Sequence, residues 1–269
     1  MPDQWFRGIF PTEHETPVID TSVAHPARVY DYLLGGKDNF AADRGAGDQM
    51  IEAVPIVVTG CRMNRAFLAR AVRFLAGDCG IRQFLDIGTG IPSASNTHEV
   101  AQAIAPDSRV VYVDNDPIVM AHARALLTGT AEGAVAYLDA DLRDPDRIVR
   151  AASQTLDLRQ PVALMMLLVL HMIPDADEPH QAVARLVDAL PGGSYLALSH
   201  PPSDILPQEV AQLHQRLNAR LGPGVSLTAR SHDEVARFFS GLDMVPPGLV
   251  QTHQWRPEGD VAAEGLAST

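Results

Sequence analysis

The chain has 269 residues, of which 46% are hydrophobic and 20% are charged, so it can form one large globular domain and is too apolar for a disordered chain. Its net charge of −12 disfavours nucleic acid as a partner and favours a small molecule. Two cysteines cannot build a disulfide framework or a four-ligand zinc site by themselves. The N-terminus has no apolar signal segment, and no apolar run is long enough for a membrane span. We therefore expect a cytoplasmic protein that uses no membrane and no metal.

Residues 1–80 are predicted to form an N-terminal helical cap, because apolar residues recur at helical spacing between positions 63 and 74. Within this region, the segment Ala27–Phe40 surrounds two adjacent glycines with hydrogen-bond donors and aromatic rings. A break of this kind beside a ligand can act as a lid, although a helix end with a solvated face is the alternative. The lid hypothesis predicts substrate contacts for Arg28, Tyr30, Tyr32, Lys37 and Asn39.

A glycine turn follows the cap. A buried strand carries Asp86 near its end and leads into Gly88, Thr89 and Gly90, where the missing side chains allow a sharp turn and a close approach to a ligand. The next strand ends in Asp114, near the spacing of about 20 residues expected for a carboxylate that holds ribose hydroxyls. Together these features predict a nucleoside-cofactor site.

The turn departs from the dinucleotide fingerprint, because Ser93 stands where the third glycine would open a helix toward a pyrophosphate. S-adenosylmethionine has no phosphate and needs only the turn, an acid and an adenine slot. The departure therefore favours a methyl donor over NAD.

Further candidates follow the later strands. Asn115 adjoins the ribose acid, and Asp141 with Leu142 is placed to contact adenine, although a solvated loop carboxylate is an equal alternative for Asp141. His171 and His200 end the fourth and fifth strands, where either could act as a general base. The alternative is that these histidines only line the pocket, since methyl transfer can proceed by alignment alone.

Strands and amphipathic helices alternate from residue 81 to 256, which is typical of an α/β domain with a mostly parallel sheet. The remaining residues, 257–269, are small and polar and are predicted to form a flexible tail. The predicted strands are Gln83–Ile87, Val110–Asp114, Ala134–Asp139, Val162–Leu170, Ser194–His200, Val225–Leu227 and Leu249–Trp255.

The motifs at residues 84–92, 113–117, 139–142, 170–175 and 191–196 resemble, in the same order, those of class I S-adenosylmethionine-dependent methyltransferases. The stretch from Ala27 to Arg44 is similar to the N-terminal signature of an actinobacterial methyltransferase family whose substrate is unassigned. The resemblance implies a Rossmann-like sheet of seven strands with the last antiparallel, a helical cap over the pocket, and S-adenosylmethionine as cofactor. It places Asp86, Gly88 and Gly90 at the methionine part, Asp114 at the ribose, and Asp141 with Leu142 at the adenine.

Three functions remain open at this point. The first is methyl transfer to an unidentified small-molecule acceptor. The second is a catalytically silent protein that binds S-adenosylmethionine and regulates a partner, and the third, disfavoured by Ser93, is an NAD-dependent oxidoreductase. The sequence predicts neither the acceptor nor the oligomeric state.

Overall fold

A computed structural model describes residues 20–126, 129–205, 208, 211 and 227–257 of the chain. The predicted tail after Pro257 lies outside the described residues, as does Val225 in the predicted sixth strand. The first nineteen residues of the predicted cap also lie outside them.

The central sheet of the described chain has five parallel strands in the order β3-β2-β1-β4-β5. The predicted α/β class is confirmed. The strand order reverses between β1 and β4, and ligands of open α/β sheets bind in the crevice at such a point, outside the carboxyl ends of the strands. The strands are β1 (Gln83–Ile87), β2 (Arg109–Asp114), β3 (Ala134–Asp139), β4 (Ala163–Leu167) and β5 (Tyr195–Ser199).

Helices precede, connect and follow the strands. Their starts agree with local signals: Asp144 accepts the Arg147 amide at the start of α6, and Ser231 accepts the Glu234 amide in the capping box of α8. No helix in the described part of the chain is long and apolar enough to cross a membrane. The helices are α1 (Pro26–Leu33), α2 (Ala41–Ala53), α3 (Val57–Arg73), α4 (Thr97–Ile104), α5 (Pro117–Leu126), α6 (Pro145–Ala152), α7 (Pro179–Asp188) and α8 (His232–Ala236).

The apolar core lies on both faces of the sheet. Because successive side chains of a strand point to opposite faces, Leu85 and Ile87 pack with residues of α6 and α7, whereas Phe84 packs with residues of α3 and α4. A third cluster joins α1, α2 and α3 to Leu227 and Met172. Helix α3 thus packs on the sheet, while all three N-terminal helices share a cluster with Met172 of the segment that follows β4.

The prediction of seven strands is wrong for the described residues. Leu249–Trp255 is not a strand: Thr252–Gln254 forms a 3₁₀ turn, and the Trp255 ring packs edge-on against Phe67 and Phe74. Its apolar character therefore serves ring packing, not a strand ladder. Leu227, the described end of the predicted sixth strand, is also outside any strand, so an antiparallel last strand is not observed in this part of the chain.

The predicted fourth strand, Val162–Leu170, is longer than β4. The strand ends at Leu167 because Leu168 has a left-handed backbone (φ 52°), after which Leu170–Met172 forms a 3₁₀ turn. Leu170 is nevertheless fully buried, so its apolar side chain serves the core from a turn. Hydrophobicity alone could not separate these two placements.

A chain of buried and partly buried hydrogen bonds fixes this turn to the N-terminal helices. The Leu168 amide donates to the Ser199 hydroxyl (3.1 Å), which donates to Asn64 Oδ1 (2.7 Å) on α3. Asn64 Nδ2 in turn donates to the Tyr30 hydroxyl on α1 (3.1 Å), and that hydroxyl donates to the Cys61 carbonyl (3.1 Å). The strained Leu168 conformation is therefore held by groups on three elements.

We expect Ser199→Ala to lower the free energy of unfolding by about 1–3 kcal/mol, because it leaves Asn64 Oδ1 buried without its donor. Urea unfolding measures the change. Ser153→Ala is the control, since the exposed Ser153 hydroxyl bonds only the Arg150 carbonyl of its own helix end. Equal losses in the two variants would contradict a special role for the buried chain.

Candidate functional site

A cavity opens at the carboxyl edge of the sheet and is enclosed on one side by α1, α2 and α3. It measures about 1480 Å³, more than the roughly 300–1,000 Å³ of a typical small-molecule site, because it also extends to Tyr195 at the amino end of β5 and to Trp255. The part at the carboxyl edge brings together all the residues that the sequence predicts for the cofactor. These are Asp86, Gly88, Thr89, Gly90, Asp114, Asn115, Asp141 and Leu142.

Gly88 and Gly90 both have left-handed backbones, with φ of 74° and 65°, but they need glycine for different reasons. A Cβ on Gly88 would lie 2.4 Å from Cγ2 of Val169, so this glycine allows the turns after β1 and β4 to pack closely. A Cβ on Gly90 would meet no atom within 4 Å. Gly90 therefore leaves open space on the cavity side, where a ligand can approach the backbone.

The half-buried carboxylate of Asp114 joins the turns after β1 and β2. Its Oδ2 accepts the Gly90 amide (2.9 Å) and its Oδ1 accepts the Asp116 amide (2.9 Å). Burial raises the pKa of Asp114 more than these bonds lower it. Each carboxylate oxygen can accept a second hydrogen bond, so a diol can still bind on the cavity side.

Asp86 is buried on the α3 and α4 face of the sheet. Its Oδ2 accepts the Thr97 hydroxyl (2.6 Å), and burial raises the pKa of Asp86 to about 6. Arg65 on α3 contributes an opposing favourable charge, and its guanidinium donates to the Ala94 and Ser95 carbonyls in the loop after the glycine turn. Asp86 thus lies next to the loop that follows the glycine turn and lines the cavity.

Asp141, which is predicted to contact adenine, accepts several hydrogen bonds from neighbouring residues. Its Oδ2 accepts Asn115 Nδ2 (3.1 Å) and Arg143 Nη1 (3.1 Å), and its Oδ1 accepts the Arg143 amide (2.9 Å). Leu142 is buried beside it. The two neighbouring loops are therefore joined through one carboxylate, while Leu142 gives this end of the cavity an apolar surface.

Of the two predicted histidines, His200 has both ring nitrogens engaged. Its Nδ1 lies 2.9 Å from the Pro201 carbonyl, so Nδ1 carries the proton, and its Nε2 accepts from Arg230 Nη1 (3.0 Å). His171 lines the same cavity from the 3₁₀ turn after β4, and the two rings are edge-to-face with centroids 6.0 Å apart. The lone pair of His200 Nε2 is therefore already occupied, which disfavours His200 as the base.

Arg230 was not identified from the sequence. It is almost fully buried and donates to the carbonyls of Leu170 (2.9 Å) and Ile173 (2.8 Å) and to Asp175 Oδ1 (2.6 Å). A single guanidinium therefore fixes the turn that carries His171 to the loop that carries His200. No local motif marks Arg230, because its partners are about 30 to 60 positions away in the chain.

His25 is a second residue that sequence reasoning missed. Its Nδ1 lies 2.8 Å from Oδ2 of the buried Asp116, and its ring lines the cavity. Asp116 also accepts the Ile118 amide (2.8 Å) at the start of α5. The start of α1 is thus tied to the loop that follows the ribose acid.

The donor-rich segment predicted as a lid bonds mainly to nearby residues of the N-terminal region. Arg28 is buried, with Nε 3.2 Å from Asp43 and Nη2 donating to the Val23 carbonyl (2.7 Å). Tyr32 donates to Asp48 (2.6 Å), and Asn39 donates to Asp31 (2.8 Å). Lys37 is exposed on the adjoining turn, and of the five predicted residues only Tyr30 lines the cavity.

A family model described as S-adenosyl methyltransferase matches residues 12–268 of the chain. No curated protein matches the chain at a significant level. Among the described residues, no group of three or more His, Cys, Asp and Glu side chains could hold a metal ion.

Two solved structures are similar over nearly the whole chain. A DUF574 family protein from Streptomyces avermitilis is 47% identical, with 92% of this chain and 94% of that chain covered and a TM-score of 0.87. A protein from Thermobifida fusca, solved as a candidate methyltransferase, is 42% identical, with 90% and 89% covered and a TM-score of 0.82. Both come from actinobacteria, in agreement with the resemblance found in the sequence.

We expect Gly88→Ala to destabilise the protein more than Gly90→Ala. Both changes carry the left-handed penalty of about 1–2 kcal/mol, but only the Gly88 methyl collides with Val169, which adds overpacking of about 1–3 kcal/mol. Urea unfolding of the two variants provides the comparison. Equal destabilisation would show that the packing of the two turns does not require Gly88.

Proposed function

Because the chain belongs to the S-adenosyl methyltransferase family, we propose that it transfers the methyl group of S-adenosylmethionine to a small-molecule acceptor at the carboxyl edge of its sheet. The observation that carries this placement is the pair formed by the Gly90 amide and the Asp114 carboxylate, beside an open space at the Gly90 α-carbon. The proposal assigns residues 81–256 to the methyltransferase domain and residues 1–80 to a cap.

The described residues fit the cofactor. Asp114 offers unused acceptor positions to the ribose hydroxyls, and the open face of Gly90 can admit the methionine part. Leu142 provides an apolar surface for adenine, with Asp141 and Asn115 at its polar rim. When bound, the cofactor supplies a methyl group on a positively charged sulfur, which the acids of this edge favour electrostatically.

We assign proton removal to His171. It lies on the turn after β4, lines the cavity, and is held in place by the bonds that Arg230 makes to both ends of that turn. His200 orients this arrangement, because its Nε2 lone pair already accepts from Arg230. His171 therefore takes the proton that the acceptor loses, and the turn aligns the acceptor for reaction.

The oxidoreductase and regulatory alternatives receive no support from the site. The Ser93 amide donates to Asn96 Oδ1 (3.2 Å) where a dinucleotide site would turn its helix toward a pyrophosphate. The family match describes a methyltransferase, so methyl transfer is the function that we retain.

Asp114→Asn is expected to weaken the binding of S-adenosylmethionine and S-adenosylhomocysteine about tenfold to a hundredfold, because charged hydrogen bonds to the ribose are worth about 1.5–3 kcal/mol. Isothermal titration calorimetry measures both affinities. Asp139→Asn is the matched control, since Asp139 pairs with Asp114 in the strand register but is exposed and does not line the cavity. Wild-type affinity in Asp114→Asn would refute the cofactor placement.

His171→Ala is expected to reduce turnover by about 10²–10⁴-fold while leaving cofactor affinity unchanged, because general-base catalysis contributes on that order. Turnover is measured with the methyl-labelled cofactor and a small-molecule extract of actinobacterial cells. His180→Ala is the control, because His180 stacks on Phe238 away from the cavity lining. Normal turnover in His171→Ala would mean that alignment alone supports the reaction.

A further inference from the structure

The wall that residues Pro26–Cys61 of the N-terminal helices contribute to the cavity is apolar. From Pro26 to Cys61, every described residue that lines the cavity is uncharged. Ile56 is half exposed, as expected for a side chain facing open space. On the opposite side, Met172 and Leu227 pack against the same cluster. The main apolar members of the helical wall are Leu33, Met50, Val54, Ile56, Val57 and Cys61.

The ionisable groups on this wall are also neutral. Burial raises the pKa of Cys61 to about 12, so its thiol does not ionise near neutral pH. Burial likewise raises the pKa of Tyr30 to about 12. An anionic or cationic ligand would therefore find no counter-charge on this wall, and desolvating its charge there would be unfavourable.

Helix α3 shows how this wall joins the cofactor side. Val57, Gly60, Cys61 and Asn64 follow helical spacing and all line the cavity, so they form one face of the helix. Gly60 and Asn64 are about 6 Å apart along the axis, at about 1.5 Å per residue. The face changes over this distance from apolar to the polar Asn64 and Arg65, which are nearest Ser199 and Asp86.

We propose that the methyl acceptor is an uncharged, predominantly apolar small molecule, whose body lies against the Val57–Cys61 face and whose reacting group points toward Asn64 and His171. This inference rests on the proposed function for the placement of the methyl donor. A molecule in this position would bury its body in the apolar cluster and leave its polar atom at the only end of the face that offers hydrogen bonds among the described residues.

Gly60 provides a way to test the placement without disturbing the fold. A Cβ at Gly60 would meet no atom within 4 Å, so a larger side chain there projects into the cavity. Gly45 on α2 is equally open, exposed and helical but does not line the cavity. Replacing glycine in a helix raises helix propensity in both cases, so Gly60→Leu and Gly45→Leu should both remain folded.

The probe is Nile red, an uncharged apolar dye, titrated by fluorescence into protein saturated with S-adenosylhomocysteine. We expect saturable binding by the wild type and by Gly45→Leu, and at least about tenfold weaker binding by Gly60→Leu, because the leucine occupies the dye's space. Calorimetry with S-adenosylhomocysteine should give equal affinities for the three proteins. Equal dye affinity in Gly60→Leu and the wild type would overturn the inference.

A second measurement concerns the natural acceptor. After incubation with the methyl-labelled cofactor and the cell extract, we expect the labelled product to partition into ethyl acetate at neutral pH, and its amount to fall in Gly60→Leu but not in Gly45→Leu. Label that stays in the aqueous phase would overturn the inference while leaving methyl transfer intact. Failure of the wild type to bind S-adenosylhomocysteine would instead refute the proposed function, and the dye titration, repeated without that ligand, would then still test the apolar wall.

Discussion

The site's geometry depends on the carboxylate of Asp114. Glycine residues can adopt many backbone conformations, and the bond from the Gly90 amide to Asp114 fixes the conformation of the glycine turn. The same carboxylate accepts the Asp116 amide, and Asp116 contacts His25 at the start of α1. The ends of β1 and β2 and the first N-terminal helix are therefore positioned through charge-assisted hydrogen bonds around one residue.

Around this point the cavity is divided by polarity. Acids and backbone amides gather where the parallel strands end, because every carboxyl end of such a sheet faces the same edge. The N-terminal helices contribute mainly apolar side chains, with Tyr30, Asn64 and Arg65 as the polar exceptions. A charged donor and an apolar acceptor can thus occupy adjoining regions without competing for the same contacts.

The sequence predicted the parts of the molecule that have local signals. The glycine turn, the acids at strand ends and the first five strands all follow from patterns within about ten residues, and their convergence follows from the rule for parallel sheets. Arg230, His25 and the pair of Asn64 with Ser199 could not be found in this way, since their partners are distant in the chain. Such contacts form only when the chain folds, and a single sequence carries no local pattern that predicts them.

Two predictions relied on residue type without context. The donors of the Ala27–Phe40 segment suggested a ligand. Arg28, however, bonds to Asp43 and to nearby carbonyls, because a buried charge needs such partners. Leu249–Trp255 resembled a strand because aromatic and branched residues favour strands, yet Trp255 is held by Phe67 and Phe74. In both cases tertiary contacts decided the role of the side chain.

The buried bonds among Tyr30, Asn64, Ser199 and Leu168 also bear on how molecules enter. Swinging α1 and α3 away from the sheet would break the bond from Ser199 to Asn64 and leave Asn64 Oδ1 without its donor, at about 1–3 kcal/mol, so such an opened state would be sparsely populated. Entry of ligands by a hinge motion of α1 and α3 at the sheet is therefore disfavoured. The half-exposed Ile56 lies at the opposite end of the wall, and a ligand that enters the cavity there breaks none of these bonds.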